Sequence, residues 1–154
     1  MHTVVMAATD RYSRRVRGPR WPWVLVASWC ALVFVLSSVP GRDLPEMPAE
    51  NFDKLVHVAV YAILGALCVH AVRATWRVGA PMAALLAVVL ATAYGVSDEL
   101  HQMLTPGRSA DVHDVMADAV GATAGALLVS IAHAVRARRR NAAAAVGVVH
   151  DDRR

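Results

Sequence analysis

Three segments of this 154-residue chain carry polar side chains at helical spacing within otherwise apolar sequence. The first set is Asp53, His57 and Tyr61, with Lys54 beside it; the second is Tyr94, Asp98 and Gln102, with Glu99 beside it; the third is Asp111, Asp114 and Asp118. Residues three or four apart share one helix face, so each set forms a polar stripe. Carboxylates beside an imidazole suit acid–base chemistry, and carboxylates beside cations suit the binding of a charged ligand.

These residue types assign candidate roles. The candidate catalytic residues are His57, Asp53, Asp98 and Glu99. His57 and Asp53 form the candidate acid–base pair, because a carboxylate can orient an imidazole. Lys54 and Arg108 are candidate anion-binding groups, since a guanidinium suits a phosphate or a carboxylate. The other candidate ligand-binding residues are Tyr61, Gln102, Ser109, Asp111, Asp114 and Asp118.

Six carboxylates against two fixed cations would leave excess negative charge at a partly dry site. Protonation of some acids, a salt-bridge network with Lys54 and Arg108, or a divalent cation such as Mg²⁺ or Ca²⁺ would relieve it. The sequence has no compact metal-binding motif, so no residue is assigned to a metal and the cofactor stays open. Solvated helix ends are the simpler interpretation for several of these acids. It fits Asp98, Glu99 and Asp118 least, because ionisable groups at membrane depth are costly.

Four apolar runs must position these side chains, over residues 21–41, 55–72, 78–97 and 115–135. Hydrophobic residues make up 56% of the chain and charged residues 18%, against about 45–50% and about 25% in soluble domains. Each run fits the roughly 17–25 residues of a membrane-crossing helix. Continuous apolar sequence indicates helices and not strands. The predicted fold is therefore all-α: a four-helix transmembrane bundle.

The basic residues predict how the bundle is oriented. All but three of the 16 lysines and arginines lie in the two tails or in the connection after the second run. Because positive charge favours the cytoplasmic side, both termini should be cytoplasmic and the stripes should meet near the outer surface. The predicted organisation is a basic tail over residues 1–20, the helical domain over 21–135 and a basic tail over 136–154.

The partners follow from the same charges. The net charge is +4, yet no folded recognition module accompanies the arginines, so nucleic acid is not expected as a partner and membrane lipid is. Gly121 and Gly125 would let helices approach closely, within the chain or between two copies, and the oligomeric state stays open. Cys30 and Cys68 lie inside apolar runs, which excludes a disulfide framework.

Three motifs follow one another: Asp53-Lys54-x-x-His57-x-x-x-Tyr61, Tyr94-Gly95-x-x-Asp98-Glu99-x-x-Gln102, and Pro106-Gly107-Arg108-Ser109-x-Asp111-x-x-Asp114-Val115. With Gly121-Ala122, they resemble the VanZ-like membrane proteins over roughly residues 25–135. The resemblance implies a small helical integral protein of the bacterial cell membrane. It also implies an association with low-level resistance to teicoplanin-type glycopeptide antibiotics. One residue departs from the pattern, since Asp118 stands where the family usually has Asn.

Two functions from different classes remain open. In the first, the three stripes together with Lys54, Glu99 and Arg108 form an outward-facing polar cluster. This cluster binds the head group of an anionic lipid or of a cell-wall precursor, with or without catalysis. In the second, the protein is a non-enzymatic structural or interaction protein whose cluster only fixes helix packing. A proton- or cation-coupled transporter is disfavoured, because the inner halves of the helices lack a polar path.

Overall fold

The computed structural model of the chain describes residues 19–44 and 52–151, with side chains up to residue 143. Over these ranges the regular structure is entirely helical, without a strand, which confirms the all-α prediction. The α-helices are α1 (Trp21–Ser37), α2 (Phe52–Thr75), α3 (Ala80–Gln102) and α4 (Val112–Asp151), and a 3₁₀ turn spans Gly41–Asp43. The tail predicted over residues 1–20 lies almost wholly outside the described residues, as do residues 152–154 of the other tail.

Three of these helices are long and apolar enough to cross a membrane: α2, α3 and the Val112–Ala143 part of α4. Their outer surfaces carry large exposed apolar side chains, among them Leu85 and Leu128. In water such surfaces would associate, whereas lipid solvates them. The protein is therefore a helical membrane protein.

Helix α1 is shorter than its apolar run predicts. It has 17 residues and ends at Ser37, although the run continues to residue 41. Pro40 disfavours helical backbone in the residue before it, and Gly41 begins the 3₁₀ turn. At 1.5 Å per residue α1 is about 25 Å long, somewhat less than the hydrocarbon thickness of about 30 Å. That α1 crosses the membrane stays a prediction, as does the cytoplasmic position of both termini.

The other three helices extend beyond their apolar runs. Helix α2 begins before residue 55, α3 continues past residue 97, and α4 begins before residue 115. Backbone hydrogen bonding does not depend on apolar side chains, so helix can continue where the sequence turns polar. Four of the stripe residues lie on these extensions, at one end of the bundle: Asp53, Asp98, Gln102 and Asp114.

Helices α2 and α4 pack with their backbones in close contact at three glycines. A Cβ atom on Gly121 or Gly125 would collide with the backbone of α2, and one on Gly65 would collide with the backbone of α4. Helix α3 packs against both, and the shared core is Tyr61, Leu64, Cys68, Val69, Ala87, Ala91, Ala122 and Ala126. The glycines on α4 therefore serve packing within the chain.

Helix α1 lies beside α2 and α3 and is held by hydrogen bonds to backbone carbonyls. Trp29 Nε1 donates to the carbonyl of Val60 at 3.1 Å. Tyr94 Oη donates to the carbonyl of Cys30 at 2.6 Å. Each bond satisfies a side-chain donor within an apolar region, where an unpaired donor would be costly.

The connections at the polar end of the bundle also contact each other. The backbone N–H of Gly41 donates to the carbonyl of Pro106 at 3.0 Å. The next residue, Gly107, has a φ of 75°, a conformation that favours glycine. This contact places the loop before α4, including Arg108, beside the end of α1.

We expect Gly125→Ala to destabilise the protein. The added methyl group meets the backbone of Ala62, which cannot rotate away, and overpacking of this kind costs about 1–3 kcal/mol. The higher helix propensity of alanine offsets part of that cost. Gly79→Ala is the matched control, because only a proline side chain lies nearby, at 3.8 Å. Thermal unfolding in detergent measures both, and equal melting temperatures for the two variants would contradict the packing argument.

Candidate functional site

Lys54 joins the carboxylates of α2 to those at the start of α4. Its Nζ atom lies 2.9 Å from Asp53, 2.8 Å from Asp111 and 2.5 Å from Asp114. Asp114 is 8% exposed, so its charge depends on this partner. A salt-bridge network was one of the three ways in which the sequence analysis expected the acids to be offset. Around Lys54 such a network is present.

His57 pairs with Asp118 one helical turn deeper. Its Nδ1 atom lies 2.9 Å from Asp118 Oδ1, and Asp118 is fully buried. The ring lies parallel to that of Tyr61, with the centroids 6.3 Å apart. The carboxylate that orients His57 is therefore Asp118, so the predicted pairing of His57 with Asp53 is wrong. Asp53 lies instead against Lys54, its neighbour in the chain.

Asp98, Gln102 and Arg108 form a second part of the cluster, between α3 and the end of α1. Ser37 Oγ donates to Asp98 Oδ2 at 2.8 Å, and Gln102 Nε2 donates to the same oxygen at 3.2 Å. Arg108 donates to Gln102 Oε1 at 2.7 Å. The side chain of Gln102 thereby links a buried carboxylate to the guanidinium in the loop.

Glu99 lies between the two parts of the cluster and is 3% exposed. Its Oε2 atom accepts the backbone N–H of Asp111 at 2.9 Å, and its Oε1 atom accepts Gln102 Nε2 at 3.2 Å. One ligand atom each from Glu99, His57 and Asp114 lies within 4.8 Å of the other two. Side chains from α2, α3 and α4 therefore converge on one volume.

Asp111 caps α4. Its Oδ1 atom accepts the backbone N–H of His113 at 2.9 Å, as expected for the residue before a helix that begins at Val112. The hydrogen bond from Lys54 holds the pKa of the Asp111 carboxyl well below its usual range, and the N–H and ring of His113 lower it further.

A cavity of about 280 Å³ lies beside the cluster, between α1, α2 and α3. Its wall is mostly apolar, with side chains from α1, from α2 and from residues 39 and 44. The polar residues of the lining are Ser37, Asp53, His57, Tyr61, Asp98, Gln102 and Arg108. The cavity is thus mostly apolar, with the polar cluster contributing a smaller part of its wall.

The structure brings together all the predicted site residues except one. Ser109 is exposed in the loop and takes no part in the network. Sequence reasoning missed Ser37 and Thr105. The Thr105 hydroxyl donates to the Ser37 carbonyl at 3.3 Å. The signal for Ser37 was its place at the end of the first apolar run, at the same depth as the stripes.

Comparison with known proteins gives one match. A family model described as VanZ/LLP1 matches residues 21–133, which is most of the chain and includes every residue of the cluster. No match was found among curated proteins or among solved structures.

We expect Ser37→Ala to lower the free energy of unfolding by about 1–3 kcal/mol, because a buried carboxylate loses a hydrogen bond. Ser37 is 6% exposed and Asp98 is 4% exposed, so water does not replace the bond freely. Ser97→Ala is the matched control, since its hydroxyl is exposed and bonds to its own helix. Unfolding in detergent compares the two, and a loss from Ser97→Ala as large as that from Ser37→Ala would contradict the assignment.

We expect Asp111→Asn to lower the melting temperature near pH 6, with a loss that shrinks below about pH 4. Asparagine can still cap α4, so the variant removes only the charge. Folding lowers the pKa of Asp111; its stabilisation is therefore complete above the unfolded pKa and declines as the pH falls toward the lower folded pKa. Melting curves from pH 6 to pH 3 measure this, with Asp43→Asn, an exposed carboxylate paired with Arg42, as control. A loss that is constant over this range would contradict the prediction.

Proposed function

We propose that this protein, which belongs to the VanZ/LLP1 family, binds the phosphate-bearing head group of an envelope lipid in the cavity beside its polar cluster. The observation that carries the proposal is that the mostly apolar lining of that cavity includes a guanidinium group. Apolar side chains such as Val33, Leu36 and Val56 form most of its wall, and Arg108 also lines it. A lipid has the same division between acyl chain and head group.

Arg108 is the group that would hold the phosphate. A guanidinium has five N–H donors, and the partner that the described residues provide is the neutral amide oxygen of Gln102. The other donors remain available to a ligand. Gln102 fixes the position of the guanidinium, which favours bidentate binding of a phosphate over the loose attraction of a mobile lysine.

Asp98 indicates which group the ligand should carry besides the phosphate. The residue lines the same cavity, and its Oδ1 atom is buried without a hydrogen-bond partner among the described residues. A carboxylate oxygen left in this state favours a ligand that donates a hydrogen bond. The proposed ligand therefore carries a hydroxyl group as well as a phosphate, as glycerol and sugar head groups do.

A purely structural role for the cluster is the second candidate. The contacts of Lys54 with acids on α2, before α4 and on α4 favour it, because such a network fixes the register of two helices. This role does not account for the cavity or for the unpaired oxygen of Asp98. The two candidates differ in what Arg108→Gln does, since the structural role predicts lower stability without any change in bound lipid.

Native mass spectrometry of the full-length protein in mild detergent tests the proposal. We expect bound anionic lipid in the wild type and roughly tenfold weaker retention in Arg108→Gln, because a charge-assisted hydrogen bond contributes about 1.5–3 kcal/mol. Arg42→Gln is the matched control, since its guanidinium is exposed and lies outside the cavity.

Competing lipids identify the head group. Phosphatidylglycerol should displace phosphatidic acid, because only the former presents glycerol hydroxyls to Asp98. A polyprenyl-linked cell-wall precursor tested in the same way separates the two sources of phosphate. Wild-type protein that retains no anionic lipid, or equal retention by wild type and Arg108→Gln, would contradict the proposal.

The cellular setting is proposed on the same basis. Arginines in both tails favour cytoplasmic termini, which would place the cavity toward the outer surface of the bacterial cell membrane. A cell-wall precursor as ligand would connect the site to the glycopeptide resistance that the sequence resemblance implies. A phospholipid as ligand would instead indicate a wider role in the cell envelope.

A further inference from the structure

We propose that His57, Glu99 and Asp114 bind one divalent transition-metal ion, Zn²⁺ or Mn²⁺, at the junction of α2, α3 and α4. The three residues come from three helices, and each has one ligand atom within 4.8 Å of the other two. This inference is independent of the proposed lipid, since the three residues would bind the ion whether or not the cavity is occupied.

The orientation of His57 presents a lone pair to this volume. Asp118 Oδ1 lies 2.9 Å from Nδ1, and an ionised carboxylate can only accept, so the proton of the neutral ring is on Nδ1. The Nε2 atom then has its lone pair free and lies 3.9 Å from Asp114 Oδ2. A carboxylate behind a histidine is the usual outer-shell arrangement of metal sites.

The two carboxylates are also held in place by their outer contacts. Lys54 binds Asp114 Oδ1, which leaves Oδ2 to face His57. Gln102 and the backbone N–H of Asp111 bind the two oxygens of Glu99. Ligand atoms around one metal ion lie about 3.0–3.5 Å apart when each bond is about 2.1 Å. The spacing of 3.9 Å between His57 and Asp114 therefore needs only a small closure.

The charge balance supplies a second, independent reason. Among the described residues, Lys54 contacts three carboxylates, whereas Asp98, Glu99 and Asp118 have no lysine or arginine partner. Of these, Glu99 is a proposed ligand and is 3% exposed, and Asp118, which contacts His57, keeps one oxygen without a hydrogen bond among the described residues. Buried negative charge without compensation is strongly unfavourable. A divalent cation between His57, Glu99 and Asp114 would offset it.

The donor set selects the kind of metal. An imidazole with two carboxylates suits Zn²⁺ or Mn²⁺ better than Mg²⁺ or Ca²⁺, which prefer oxygen ligands alone. This choice differs from the sequence expectation, which named Mg²⁺ and Ca²⁺ as examples. Three protein ligands leave a further coordination position for water or for an oxygen of a ligand.

Metal binding by the full-length protein tests the site. The protein is purified in detergent with a tag that lacks histidine, stripped with EDTA and titrated with Zn²⁺, Mn²⁺ and Co²⁺. We expect one ion per chain and visible absorption bands with Co²⁺. His57→Gln and Glu99→Gln should each weaken binding at least tenfold, and Asp118→Ala by about 10–100-fold, as for other outer-shell partners.

Matched controls are His113→Gln and Asp43→Asn, which change an exposed histidine and an exposed acid outside the three ligands. Both should bind the ion as the wild type does, and gel filtration with circular dichroism checks that every variant is folded. Stripped wild type that takes up no ion at one-to-one ratio would overturn the proposal. So would wild-type affinity in both His57→Gln and Glu99→Gln. Should these two variants misfold, the Co²⁺ spectrum of the wild type decides, and its absence overturns the site.

Discussion

The ammonium group of Lys54 lies between carboxylates from α2, from the loop before α4 and from α4 itself. At this partly buried position three acids so close together would repel one another, and one shared cation offsets the repulsion. The position of α4 against α2 at this end, the cap at Asp111 and the orientation of Asp114 toward His57 all depend on this contact. Glycine contacts deeper in the bundle hold the same two helices together.

The sequence predicted much of this arrangement, because membrane helices follow apolar length and because polar residues at helical spacing must share a face. Convergence of three stripes followed from the alternating direction of the helices. The hydrogen-bond partner of each side chain could not be predicted in the same way. Whether His57 meets Asp53 or Asp118 depends on how α2 and α4 are rotated about their axes, which close glycine packing determines. Ser37 was missed because α1 carries no stripe.

Asp118 stands where the sequence resemblance implies Asn, and a carboxylate changes the demands on the site. The residue is fully buried, one oxygen meets His57, and the other lies against Gly95 without a hydrogen-bond partner. An amide at this position would offer the same acceptor to the imidazole and would add no charge. The carboxylate makes His57 a better electron-pair donor and leaves a negative charge to be balanced. A carboxylate in place of an amide thus affects the chemistry of the neighbouring imidazole more than its position.

Helix α4 is continuous from Val112 to Asp151, so the distance between two of its residues follows from their separation in sequence. The exposed arginines around residue 138 and the carboxylate of Asp118 are on the same rod, separated by about 30 Å at 1.5 Å per residue. That length equals the thickness of a bilayer's hydrocarbon layer. With the guanidinium groups among the phosphates of one leaflet, the cluster must lie level with the phosphates of the other. A shift of the helix by a few residues along its axis would move one of these charged ends into the hydrocarbon layer.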